Sequence, residues 1–208
     1  MKAELINKYI QYVLDHNQSP KSVYLFAKAA DIEEKEFYKH FSSLQMLEAA
    51  IYKQWFTDAF SECTQSEPWQ SYTTREKALA VFYTFIEHAK NHRSFAVYLK
   101  KRDLIKLPKW PTYLNELRNE FKVLMIPIVN EALDTKEVEA RRFIDGKYID
   151  ALWGNFLFVL HFWLNDESPG FEKTDEAIER SINLAFDLMG KSPLDAALNF
   201  GKFLFQNR

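Results

Sequence analysis

At 208 residues the chain can form one large domain or a small module on a larger one, and 47% hydrophobic residues supply a real core, which excludes a disordered chain. Five glycines and seven prolines are too few for a turn-rich sheet protein, and a single cysteine, Cys63, excludes an intramolecular disulfide framework and fits a reducing, cytoplasmic setting. A net charge of −2 gives no global attraction to phosphate, so any DNA binding must be local.

The first residues carry charges throughout and lack an apolar stretch with a small-residue cleavage site, so no signal peptide is expected. Leu5, Ile6, Tyr9, Ile10, Val13 and Leu14 recur at helical spacing and predict a first helix that fades at 15–18. Ser19-Pro20 reads as an N-cap serine followed by proline at the first helical position, opening a second helix to about Ala30. Asp31 stands at a sharp turn, where aspartate tolerates left-handed backbone better than most residues. A short third helix runs from Glu33 to about His40, and Ser42 with Gln45 forms a capping box opening a long fourth helix toward Cys63.

Beyond Pro68, Thr73 and Glu76 form a second capping box, for a helix ending near His92; another runs from Ser94 to about Lys106 and is broken by 107–111. The next, Thr112 to about Leu133, contains Pro127 and should kink there. Asp134 and Glu137 predict the start of a long helix to about Asn165. Its apolar run, Ala151 to Leu164, is about fourteen residues, short of a membrane span, and contains Asn155 and His161, so it reads as a buried core helix and argues against a membrane partner. After the turn at Ser168-Pro169-Gly170, Thr174 starts a helix ending at Gly190, expected in a left-handed C-cap. Ser192-Pro193 opens a last helix with an apolar bias from Leu194 to Phe205.

Within Ser22 to Phe41, the apolar residues Val23, Phe26, Ala27, Ala30, Ile32, Phe37 and Phe41 are spaced to pack two short helices on one another across a tight turn. Lys35, Glu36, Tyr38, Lys39 and His40 are left on the exposed side of the second, as a recognition helix is presented to a major groove. Ser22, Phe26-Ala27, Ala30-Asp31, Tyr38-Lys39-His40-Phe41 and the Ser42 cap make residues 5–55 resemble the TetR family of one-component bacterial regulators. The chain departs from that pattern at Asp31, where the family has a turn glycine, at Glu33 in place of a serine cap, and at Leu44 in place of a lysine. From Pro20 to Gln45, Lys21, Lys28, Lys35 and Lys39 are cancelled by Asp31, Glu33, Glu34 and Glu36, whereas DNA-binding modules usually carry a basic excess.

The resemblance implies an all-α fold: an N-terminal three-helix helix-turn-helix unit joined by a long helix to a C-terminal helical ligand-binding and dimerisation bundle, with domains at 1–48 and 49–208. It implies a homodimer on a palindromic double-stranded DNA operator, contacted through Ser22, Lys35, Glu36, Tyr38, Lys39 and His40, and an effector pocket in the bundle. Each of these residues could instead serve packing or a solvated face. The crowded aromatics of the middle helices suit an apolar small-molecule effector. Candidate lining residues are Phe60, Phe82, Tyr83, Phe85, Tyr98, Tyr113, Phe121 and Asn155, each of which could equally be core. The helix around 148–164 is apolar on nearly all sides and must be covered from more than one direction. With Ile178, Ile182, Ala185, Phe186 and Met189 of the next helix, it suggests a dimeric four-helix bundle built from the helices at about 137–165 and 174–190.

No phosphate-binding glycine loop, nucleophile elbow or paired-carboxylate pattern is present, so neither catalysis nor a cofactor is expected. His88 and His92 lie four apart but lack a third ligand nearby in sequence, so no metal site is expected either. The acidic recognition helix and the apolar C-terminal segment leave an alternative: a lipid or hydrophobic-ligand binding protein of the same fold that has lost DNA binding.

Overall fold

The computed structural model describes residues 1–104, 113–141, 145–190 and 203, and among these the regular secondary structure is entirely helical. In chain order the α-helices are α1 (Lys2–His16), α2 (Val23–Ala29), α3 (Glu34–Tyr38), α4 (Leu44–Gln65), α5 (Thr74–Lys90), α6 (Arg93–Leu104), α7 (Tyr113–Asp134), α8 (Tyr148–Trp163) and α9 (Glu172–Met189). The chain divides into two compact units, one from Met1–Glu62 with Thr84–Phe121, the other from Cys63–Tyr83 with Lys122 onward. No described helix is long and apolar enough to cross a membrane.

In the first unit, α1 buries Leu5, Ile6, Tyr9, Ile10 and Val13 of the face its periodicity marks out, while Leu14, the last of that set, is exposed near the helix end. It ends at Asn17, whose left-handed backbone (φ 48°) stops the helix. Ser19-Pro20 does not open the second helix. Ser22 does, in extended conformation, with its Oγ accepting the Leu25 amide at 3.2 Å. Asp31 adopts the expected left-handed turn (φ 53°) and hands the chain to α3. The fourth helix is also capped later than the spacing suggests, here by one residue: the Met46 amide donates to Ser43 Oγ at 3.2 Å, so Ser43 and not Ser42 is the cap. Phe26 and Phe37, both fully buried, meet edge-on at 5.9 Å, and Tyr9 packs edge-on against Phe26 at 5.5 Å and Phe95 of α6 at 6.2 Å.

In the second unit the Thr73–Glu76 capping box forms as expected: the Glu76 amide donates to Thr73 Oγ1 at 3.2 Å and the Thr73 amide to Glu76 Oε2 at 2.8 Å. The predicted helix from Glu137 to Asn165 does not exist as one element. α7 ends at Asp134, Lys136 turns left-handed (φ 62°), and α8 begins only at Tyr148 after a short 3-10 turn, Asp145–Lys147. Glu137 instead caps α5, accepting the amides of Thr74 (3.1 Å) and Arg75 (3.3 Å). α7 remains helical through Pro127.

The turn expected at Ser168-Pro169-Gly170 forms, as the 3-10 segment Pro169–Phe171, and Gly170 in it is left-handed (φ 64°). Gly190 is not left-handed; it is extended (φ −75°, ψ −169°). Its lack of a side chain serves close packing, because a Cβ there would stand 3.2 Å from both the Glu137 and Phe186 carbonyl oxygens. α8 buries Leu152, Trp153, Phe156, Val159, Leu160 and Trp163 but leaves Phe158 exposed. The break at 107–111 and the last helix expected from Ser192 lie outside the described residues.

Candidate functional site

The α2–turn–α3 unit is fixed from beneath by Phe26, Ala27, Ala30, Phe37 and Phe41, all buried, which leaves the opposite surface free. Burying Phe37 and Phe41 turns Tyr38 outward at 52% exposure, with Lys39 and His40 exposed beside it. Ser22, read as a DNA contact, is occupied as the α2 cap.

Charge on this surface is largely settled within α3. Lys35 Nζ lies 2.6 Å from Glu33 Oε2, and Lys39 Nζ lies 2.6 Å from Glu36 Oε1. The hydrogen bond from Lys39 holds Glu36 below the usual carboxylate range. Exposed pairs of this kind are weak and easily exchanged, but each cation carries an anion along with it.

A buried polar cluster that sequence reasoning missed supports the helix-turn-helix from behind. Glu48 of α4, only 5% exposed, accepts from Arg102 of α6 through Nη1 (2.6 Å) and Nη2 (3.0 Å) and from the Tyr9 hydroxyl of α1. The Ser19 amide donates to the Tyr98 hydroxyl at 2.8 Å, and Arg102 Nη1 donates to Ser19 Oγ at 3.2 Å. Burial first, and the Glu48 carboxylate second, push the Tyr9 phenol up, so it stays a donor. Nothing in local spacing announces this cluster, since Glu48 and Arg102 are 54 residues apart.

The expected pocket residues divide between the two units. In the first, Phe85 and Phe121 are buried against Phe56 at 6.0 and 5.3 Å, Phe60 is half-buried, and Tyr98 belongs to the polar cluster. In the second, Phe82 is buried edge-on to Phe156 at 5.3 Å, and the Tyr83 hydroxyl donates to the Asp175 carbonyl at 3.1 Å. Asn155 Nδ2 donates to the Ser181 carbonyl at 2.8 Å, while its Oδ1 is buried without a hydrogen-bond partner. The side chain of Tyr113 lies outside the described residues. A surface cleft of about 780 Å³ lies at the α8–α9 turn, lined by residues that include His161, Phe162, Asn165 and Lys173, none of them among the expected set. His88 pairs with Glu62 at 2.8 Å, whereas His92 stacks on Trp55 with ring centroids 5.1 Å apart.

A short helix-turn-helix followed by a larger set of helices defines the class, a helix-turn-helix regulator fold. The chain belongs to the TetR family: residues 77–204 match the model of the tetracyclin repressor-like C-terminal domain. No curated protein matches the sequence. Among solved structures it is similar to a candidate tetR family transcription regulator from Shewanella sp. PV-4, with a TM-score of 0.58 at 14% identity over 91% of this chain and 98% of the other. It is equally similar to a protein of unknown function from Rhodococcus sp. RHA1, with a TM-score of 0.58 at 14% identity over 91% and 95% of the two chains. At that identity the likeness is one of fold.

Proposed function

We propose that the protein is a cytoplasmic, homodimeric, DNA-binding transcriptional regulator, with residues 1–48 reading a palindromic operator and 49–208 dimerising and responding to an apolar small molecule. The observation that carries the reading is the α2–α3 surface: Tyr38 and His40 project outward because Phe37 and Phe41 are buried beneath them. The exposed apolar side chains Phe158 of α8 (48%) and Leu184 and Leu188 of α9 (59% and 48%) support pairing with a second copy.

Competition binding to duplexes from the protein's own upstream region and to arbitrary DNA, with Tyr38→Ala alongside, tests the reading. Preference for one duplex that is lost in the variant supports it; absence of preference at low salt sinks it. In that case the self-neutralised lysines of α3 favour the other reading, a hydrophobic-ligand protein that has lost DNA binding. Sedimentation of Leu184→Glu separately tests the dimer, which the reading expects to dissociate.

A further inference from the structure

The lysines that stand out on the recognition helix are the wrong ones to supply net attraction to DNA. Moving Lys39 from Glu36 to a phosphate would strand the Glu36 carboxylate beside that phosphate, and the same holds for Lys35 and Glu33. The α2 edge differs. Tyr24 and Lys28 lie four apart and share one face of α2, on the side away from the buried Phe26, Ala27 and Ala30, and Lys21 directly precedes the Ser22 cap. Lys21 and Lys28 are exposed and have no carboxylate partner among the described residues, and Tyr24 between them is 59% exposed. From Lys21 to Lys28 the row covers about 10 Å, enough for the two ammonium groups to meet separate phosphates with a phenol donor between them.

We propose that Lys21, Tyr24 and Lys28, the exposed row of α2, hold the DNA phosphate backbone, while the paired lysines of α3 add little to affinity. The inference rests on the DNA-binding reading above and names the positioning residues within it. Because α2 itself is anchored by Phe26 and Ala27, phosphates held on this row would fix the depth and register at which Tyr38 enters the groove.

The test is a salt series on the full chain with a short duplex of arbitrary sequence, comparing wild type, K21Q/K28Q and K35Q/K39Q. Phosphate contacts are independent of base sequence, so the operator need not be known. Each contact contributes roughly 0.9 to the slope of log K against log salt, so the slope should fall by about 2 in K21Q/K28Q and stay near wild type in K35Q/K39Q. Y24F should weaken binding without changing that slope. All these side chains are exposed, so unchanged helical circular dichroism is expected and separates lost contact from lost fold. If wild type binds and the slope survives K21Q/K28Q, or falls instead in K35Q/K39Q, this assignment is overturned while DNA binding stands. If wild type binds no DNA at low salt, the DNA-binding reading fails and the assignment with it.

Discussion

Arg102 grips Glu48 with both terminal nitrogens, at 2.6 and 3.0 Å, in a site where the carboxylate is 5% exposed. A buried charge without its partner is far costlier than the pair itself is favourable, so Arg102→Met should destabilise the protein by about 3–5 kcal/mol in urea denaturation. Adding Glu48→Gln removes the stranded charge and keeps an acceptor for Tyr9, so the double variant should recover much of the loss. Equal stability of the single and double variants would contradict this account.

Asp166 controls the entry to α9. One carboxylate oxygen accepts the Ser168 amide (2.8 Å) and hydroxyl (2.7 Å), and the other the Thr174 amide (2.9 Å) and hydroxyl (2.6 Å). Burial raises its pKa, but these donors outweigh burial and bring it from 3.8 to about 2. A folded pKa below the unfolded one stabilises the fold above pH 3.8, and that stabilisation is lost as pH falls toward 2. An acid titration of stability should therefore lose part of its drop between about pH 4 and 2 in Asp166→Asn, which should also be less stable than wild type at neutral pH.

Glu137 caps a helix 62 to 63 residues earlier in the chain. Glu137→Ala should cost about 1 kcal/mol, the usual value of an N-cap, seen as a lower thermal midpoint. Gly190→Ala should also destabilise, because its new Cβ would meet two backbone carbonyl oxygens at 3.2 Å and neither can rotate away. An unchanged midpoint in Gly190→Ala would remove packing as the reason for glycine there.

Phe82 discriminates core from pocket. It is fully buried against Phe156 at 5.3 Å, so Phe82→Ala should cost about 3–5 kcal/mol. A residue lining an open effector site would lose far less stability and would change ligand response instead.

Features whose partners lie within a turn or two of chain are legible in the residues alone. Helical periodicity gave α1 and its buried face, Thr73 and Glu76 cap each other three residues apart, and Asp31 and Gly170 take the left-handed turns their residue types permit. The inward set Phe26, Phe37 and Phe41 and the outward Tyr38 were legible for the same reason, since burial of one face fixes the other.

Which of two nearby serines caps a helix is set by packing between distant segments, because Ser19 and Ser22, or Ser42 and Ser43, satisfy similar local spacing. Ser19 is drawn instead into the cluster with Tyr98, Arg102 and Glu48. Tertiary structure likewise took Glu137 out of a helix it could have started and set it on the orphan amides of α5. It also joined Glu48 to Arg102 and paired the α3 lysines with carboxylates that sequence could only count. A polar side chain has several acceptable partners along the chain, and packing of distant helices decides which of them it meets once water is gone.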